Sequence, residues 1–353
     1  MNKLKSALVL VLIGALLLSA GVPTFAEGRR LYGDTREYTA TAVSRDGWPY
    51  GSKSVVVANG YSFADAIAAG PLAKLLDAPI LLTRSDALPD ATRLELSRLH
   101  PENIYIIGGN AVVSYGVENA LAAYVDSADK VVRVAGRDRY ETAAAIAQNI
   151  RESGGSTDEV ILVRGDDYAD ALTAAAVVDV VPILFANKAG EASLHIATAR
   201  SLASLEVKRV VVAGGEAAVS DQAVGQAYSI IGSHNPYPVR VSGKTRYDTA
   251  IAMADFFKPE SGYQGVVLAT GNDFADALVG GPYAAKKVYA MVLVNNRADR
   301  PLPDVAEAFI QQNTSIPSDA VIALGGPRVL PESALEDAID AAENREFDVD
   351  DWY

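Results

Sequence analysis

Six arginines recur at fixed places along the chain. Arg30, Arg133 and Arg240 each stand three residues before a glycine, and Arg36, Arg139 and Arg246 stand three residues after it. A guanidinium is a planar fork of donors that grips carboxylates and phosphates in bidentate fashion. Two uses follow. The arginines can form internal ion pairs, the second set with a repeated aspartate, or they can face a polyanion as a ring. The aspartates are Asp65, Asp170 and Asp276, in the segments Ser62-Phe63-Ala64-Asp65, Asp167-Tyr168-Ala169-Asp170 and Asp273-Phe274-Ala275-Asp276, with separations of 105 and 106 residues. Ser62, Asp167 and Asp273 suit helix N-caps, which puts each repeated aspartate where its carboxylate can reach back to the cap N–H and meet the positive end of the helix dipole. The alternative is a carboxylate at the carboxyl end of a strand, where α/β sheets place their ligands, orienting an arginine or accepting a sugar hydroxyl.

Glycine pairs form the third recurring element: Gly108-Gly109, Gly214-Gly215 and Gly325-Gly326. Each ends an apolar run, and Ser114 and Ser220 follow as helix caps. Such a turn allows positive φ, and it can cradle an anion on exposed N–H groups. None of the pairs sits in a G-x-G-x-x-G or G-x-x-x-x-G-K-[ST] pattern, which argues against a nucleotide site. Catalytic machinery is missing from the pattern. The three histidines, His100, His195 and His234, have no metal-ligand spacing; there is no G-x-S-x-G elbow and no cysteine. A glycosidase needs one pair of carboxylates flanking one bond, whereas every prominent aspartate here occurs three times. The reading therefore includes no catalytic residue, metal or cofactor.

The elements that carry these groups follow from the order of the motifs, which repeats three times over residues 28–128, 129–236 and 237–342. The second copy shows the pattern best. Apolar runs predict strands at Val131–Val134, Glu159–Val163, Val181–Phe185 and Arg209–Ala213. Helical spacing predicts helices over Tyr140–Ser153, Tyr168–Val178, Ala192–Leu205 and Asp221–Ile231. Alternating strands and helices imply parallel sheets with helices on both faces. The fold class is α/β, in three tandem Rossmann-like units. The runs Pro79-Ile80-Leu81-Leu82 and Pro182-Ile183-Leu184-Phe185 read as buried strands, with a shared interface between repeats as the alternative. The third copy has Tyr289-Ala290-Met291-Val292-Leu293 instead. A linker turn is expected at Gly232–Pro236, and the acidic stretch 343–353 lies outside the pattern.

Residues 1–26 have the form of a secretory signal: Lys3 and Lys5, an apolar run from Ala7 to Leu18, then small residues up to Ala26. The run is shorter than the roughly 20 residues of a membrane helix, so no stable span is expected after cleavage. Loss of Lys3 and Lys5 takes the net charge from −13 to −15. That balance argues against nucleic-acid binding, which needs a basic face. A chain without cysteine relies on burial alone.

Taken together, the segments R-[LV]-x-G-x-[TD]-R-x-x-T-A, [FY]-A-D-A-[LI], P-I-L-[LF] and G-G-x-x-[AVR]-V resemble the cell wall binding repeat 2 family of Gram-positive surface proteins. The resemblance implies three modules about a pseudo-threefold axis, a monomer built as an internal trimer, and non-covalent attachment to an anionic secondary polymer of the wall, glycan or teichoic-acid-like. It places the protein at the cell surface, with the six arginines as polymer ligands and the aspartates and glycine pairs in support. The first copy departs from the pattern, with Arg36-Glu37-Tyr38 where the others have Arg139-Tyr140 and Arg246-Tyr247. Pro331 stands where a cap serine is expected. Two other classes fit less well: a wall hydrolase should have one unrepeated carboxylate pair, and a solute-binding protein should have two lobes and one pocket.

Overall fold

The computed structural model describes residues 28–175, 177, 179–187, 191, 193–232, 238–313 and 316–343, with the side chains of all but 169, 170 and 175. The expected export signal, most of the linker turn, the Asp170 side chain and the acidic end beyond Glu343 lie outside the described residues.

The first repeat runs β1 (Arg29–Leu31), α1 (Arg36–Gly47), β2 (Ser54–Asn59), α2 (Phe63–Ala66), α3 (Gly70–Leu75), β3 (Ile80–Thr83), α4 (Asp90–Leu99), β4 (Asn103–Ile107) and α5 (Tyr115–Leu121). The second runs β5 (Val131–Val134), α6 (Arg139–Glu152), β6 (Glu159–Arg164), α7 (Ala169–Ala175), β7 (Ile183–Ala186), α8 (Ile196–Ser204), β8 (Arg209–Ala213) and α9 (Asp221–Ile230). The third runs β9 (Val239–Val241), α10 (Arg246–Phe256), β10 (Gly265–Thr270), α11 (Ala275–Lys287), β11 (Tyr289–Val294), α12 (Asp304–Gln312), β12 (Val321–Leu324) and α13 (Glu332–Glu343). The expected strands and helices of the second copy are all present. The largest shift is at α8, expected from Ala192 and observed from Ile196, because the His195 ring caps the helix by accepting from the Ala197 N–H.

Three parallel four-stranded sheets result, ordered β3-β2-β4-β5, β7-β6-β8-β9 and β1-β12-β10-β11. Their membership does not follow the sequence repeats. The opening strand of each repeat completes the sheet of the repeat before it: β5 pairs with β4, and β9 with β8. The opening strand of the first repeat, β1, pairs with β12 of the third, Arg30 opposite Ala323. The chain is thus a closed ring of three sheets, each finished by its neighbour.

The glycine pairs make this exchange possible. Gly108, Gly214 and Gly325 take φ of +102°, +109° and +96°, which glycine adopts without penalty. Each donates its N–H to the exchanged strand, at Val134, Val241 and Leu31 respectively. A second glycine, Gly33, Gly136 or Gly243, follows the exchanged strand and donates its N–H to the hydroxyl of Thr39, Thr142 or Thr249 at 3.1–3.2 Å. The Gly-to-Thr spacing of the third motif is therefore a clasp between a loop and the helix it opens.

One hydrophobic core draws residues from all three repeats, and two further clusters belong to the second and third repeats alone. Alternation along the strands explains the division. Ile183 and Phe185 face the common core while Leu184 faces outward, and Met291 and Leu293 face inward while Val292 faces outward. These runs are buried strands and also form part of the interface between repeats. Helices close the ring in the same cyclic order, α3 on α6, α7 on α10 and α11 on α1. Among the described residues no helix is long and apolar enough to cross a membrane.

Gly136 is a stringent point in this scheme. A Cβ there would lie 2.2 Å from Glu141 Cβ and 2.5 Å from the Glu141 carbonyl carbon. Gly136→Ala is expected to destabilise the protein by about 1–3 kcal/mol through overpacking. Urea denaturation checks this, and a midpoint equal to that of the wild type would refute the packing assignment.

Candidate functional site

The aromatic residue that precedes each Ala-Asp pair marks the centre of the ring. Phe63, Tyr168 and Phe274 meet there, with centroid separations of 5.6, 6.2 and 6.5 Å. Three equivalent rings in a nearly equilateral triangle locate a pseudo-threefold axis. They lie at the starts of α2, α7 and α11, beyond the carboxyl ends of β2, β6 and β10, on the side where parallel sheets place ligand sites.

The second set of arginines surrounds this triangle. Arg139 lies over Phe63 at 5.5 Å, Arg246 over Tyr168 at 5.5 Å and Arg36 over Phe274 at 5.9 Å, each guanidinium resting on a ring of the preceding repeat. Such cation–π contacts contribute on the order of 0.5–2 kcal/mol. Each arginine is also tethered within its own repeat to the carbonyl of the glycine that ends the strand. Arg139 donates to Gly165 at 2.6 Å and Arg246 to Gly271 at 2.7 Å, and Arg36 donates to Gly60. All three are only partly buried. Arg36 also meets a carboxylate of the third repeat, Asp273, at 3.3 Å.

The first set is used differently. Arg133, Arg240 and Arg30 donate to the carbonyls of Gly108, Gly214 and Gly325, and each pairs with an acid at the start of the following helix: Glu118, Asp221 or Glu332, at 2.7–2.8 Å. Their side chains retain 16%, 19% and 11% exposure, so little of each guanidinium is left to meet a ligand. They fasten the exchanged strand to its host loop. Among the described residues, the second set, for which a repeated aspartate is the expected partner, donates to glycine carbonyls instead, and the one ion pair it makes is that of Arg36 with Asp273.

Asp65 and Asp276 depart from the capping arrangement. Neither reaches back to a cap N–H, and α2 and α11 start without a side-chain capping bond from the preceding residue. Asp273 instead accepts from the Ala275 N–H at 3.1 Å. Both repeated carboxylates are buried beneath the glycine pairs. A Cβ on Gly108 would lie 3.0 Å from Asp65 Oδ2, and one on Gly325 would lie 2.5 Å from Asp276 Oδ2. The first glycine of each of these pairs is therefore small because a carboxylate oxygen fills the space that a side chain would need. Gly109 and Gly215 have open surroundings by comparison. Burial raises the pKa of Asp65, opposed by a hydrogen bond from Thr142 and by the charge of Arg139. Burial and the nearby Asp273 carboxylate push Asp276 up to about 6, against the pull of Arg36.

One further pattern was not read from the sequence. In the first repeat Tyr61 follows Gly60 and bonds the buried Glu37 at 2.9 Å, with Arg36 4.6 Å above its ring. In the second repeat the acid and the ring have changed places, as Asp166 and Tyr140, and Tyr140 stacks on His195 at 4.1 Å. In the third, Tyr247 lies beside Asn272. Every junction thus keeps a tyrosine beside its axial arginine, at one or the other of two positions. The signal in sequence is a correlated change at two positions 24–26 residues apart, visible only once the repeats are aligned.

With this geometry in hand, the likeness to known proteins is specific. The family profile described as Cell wall binding domain 2 (CWB2) matches residues 30–118, 133–224 and 240–335. The chain belongs to this family. Two curated relatives from Bacillus subtilis (strain 168) are N-acetylmuramoyl-L-alanine amidase LytC, 32% identical over 76% of this chain, and Amidase enhancer, 29% identical over 87%. The chain spans 50% and 40% of their lengths. Among solved structures, Cwp6 from Clostridium difficile superposes with a TM-score of 0.77 at 29% identity, covering 89% of this chain and 47% of that one. Cwp8 from the same organism superposes with a TM-score of 0.77 at 24% identity, over 90% of this chain and 52% of that one, and supports the fold. In this CWB2 chain, then, the axial arginines and buried aspartates sit on the family's three-repeat framework.

The Asp276 carboxylate makes stability depend on pH in a defined direction. Its folded pKa is above its unfolded one, so the native state holds the proton more tightly. Stability is highest below the unfolded pKa and declines as pH rises from about 4 through about 6. A rise from the ordinary carboxylate value to about 6 corresponds to roughly 3 kcal/mol. Relative to Asp276→Asn, the wild type is expected to lose stability across that window, and the difference should level off above it. Parallel pH profiles of chemical denaturation that never diverge would contradict the burial of this group.

Proposed function

We propose that this CWB2 chain anchors itself non-covalently to the cell wall by binding an anionic secondary wall polymer at the axial face. The observation that carries the proposal is the convergence of Arg36, Arg139 and Arg246, partly exposed and held in register by glycine carbonyls and aromatic rings. Their positions are set before any ligand arrives, so little ordering entropy opposes binding. Polymer residues bearing carboxylate or phosphate supply the complementary charge. Arg30, Arg133 and Arg240 act in support, fastening the strands that bring the axial three together, as do the glycine pairs and the aspartates beneath them.

The net charge of the chain opposes approach of a polyanion at long range. Screening confines that repulsion to about 8–10 Å at physiological salt, so the local guanidinium cluster decides the outcome. Three equivalent corners on one rigid body also raise avidity for a repeating polymer. The function needs no catalysis, metal or cofactor. Residues 1–26 direct export, and the protein works as a monomer at the cell surface, its internal trimer replacing an oligomer.

The test is co-sedimentation with purified wall sacculi, before and after acid extraction of the secondary polymer. The wild type should bind intact sacculi and lose most of that binding on stripped ones. Arg139→Ala with Arg246→Ala should weaken binding by roughly tenfold or more, since charge-assisted bonds contribute about 1.5–3 kcal/mol each. Undiminished binding to stripped sacculi would rule the polymer out.

A further inference from the structure

The three junctions between repeats differ on their outer side, and one of them carries a groove. Where β1 meets α1 and α4, an open cleft of about 690 Å³ is lined by Tyr32, Asp34, Tyr38, Arg45, Asp46 and Leu94, among others. Tyr32, Tyr38 and Leu94 are 51%, 45% and 60% exposed. The aligned positions in the second repeat are Ala135, Glu141 and Arg200, and in the third Ser242, Asp248 and Ala308. The fold therefore does not require aromatic or large apolar side chains here. Only the junction of the first and third repeats has them.

Both rings are half exposed. The backbone sets the Cβ of Tyr38 against Gly33, as it sets that of Glu141 against Gly136 and that of Asp248 against Gly243. Tyr32 lies against Gly326, in the glycine pair that covers Asp276, at 3.4 Å from the Cβ position of that glycine. Polar groups lie alongside the rings. Arg45 is anchored through Nε to the buried Glu95 at 3.1 Å, with its side chain 58% exposed. Asp46 accepts from the Tyr283 hydroxyl at 2.7 Å, and Asp34 is exposed. From Tyr38 to Arg45 the cleft follows two turns of α1, about 10 Å, the length of a disaccharide.

We infer that this cleft is a second binding site, for a neutral glycan segment, separate from the axial arginines. Half-exposed tyrosine rings offer apolar surface to the axial C–H bonds of a pyranose, and with two side-chain torsions each they lose little entropy on binding. Aspartate and arginine beside them can accept from and donate to sugar hydroxyls. Arg45 is matched by Glu95 and Asp46 by Arg29, and Asp34 is the remaining charge among the groove's lining residues, so the groove offers no net positive charge to an anionic ligand. An apolar peptide would strip water from Asp34 and from the exposed part of Arg45 without replacing its hydrogen bonds, which argues against it. In a wall, such a site would hold the uncharged backbone of a glycan strand while the axis holds acidic groups.

Saturation-transfer NMR with N-acetylglucosamine tetramer tests the proposal on the purified chain. Transfer to the sugar from tyrosine resonances is expected. Tyr38→Ala and Tyr32→Ala should each weaken the tetramer by roughly three- to tenfold, while Tyr38→Phe retains binding and all three variants keep the wild-type Tm. Arg139→Ala with Arg246→Ala should leave the tetramer affinity unchanged, so failure here and failure of polymer binding are distinguishable. The proposal is overturned if the wild type gives no transfer at millimolar sugar, if Tyr38→Ala binds as well as wild type, or if an uncharged apolar peptide displaces the sugar from the groove.

Discussion

Everything at the axis depends on the exchange of one short strand between neighbouring repeats. A three- or four-residue strand contributes few ladder bonds, and an unpaired neighbour would leave an open sheet edge. The structure secures each strand through both backbone groups of one glycine. The glycine at the end of β4, β8 or β12 donates its N–H to the exchanged strand and accepts an arginine of that strand on its carbonyl. Since β1 does for β12 what β5 does for β4, the chain closes on itself. Closure then fixes the angle between neighbouring sheets, and with it the meeting point of their strand ends.

The axial face follows from that closure. A helix that begins just beyond a strand must bring its first side chains toward the axis, and three such helices bring three aromatic rings together. Each ring receives an arginine from the next repeat, so the guanidiniums are held from two sides by two repeats. The same crowding explains the buried aspartates. Asp65 and Asp276 are packed under glycine in a setting that disfavours their charge, and the arginines at the axis partly offset that. Stability is thereby given up around neutral pH in order to hold negative groups beneath a positive rim.

The fold was legible in the chain because periodicity and motif order describe the same units. The alternation of apolar runs with helical spacing located the strands of the second copy to within a few residues. Sheet membership was not legible. Val131–Val134 reads as the start of its own repeat, and no local preference reveals that its hydrogen bonds go to Ile104–Ile107 of the previous one. The roles of the arginines were half legible for a related reason. Their type and spacing show that guanidiniums recur, but whether each ends on a carbonyl, an acid or a ring depends on neighbours that lie from 15 to 302 residues away along the chain. For Asp65 the pattern pointed to a cap, and tertiary burial under Gly108 prevailed over that local preference. For Phe63, Tyr168 and Phe274 an aromatic side chain at the head of a helix looks like ordinary core until three of them are superposed.

The exchanged tyrosines bear most directly on what the axial face is for. If the ring beside each axial arginine served only to fill space, the first repeat could have replaced it with any apolar group of similar volume. Instead it places glutamate at position 37, where the others have tyrosine, and tyrosine at position 61, where they have aspartate or asparagine. There the phenol and the carboxylate are in hydrogen-bonding contact, with the guanidinium of Arg36 above the ring. Two simultaneous departures that return a tyrosine to the corner are hard to attribute to packing, which is blind to which residue supplies the hydroxyl. They are accounted for by a requirement for a tyrosine ring and a held arginine at every corner, from whichever of the two positions the chain supplies the ring.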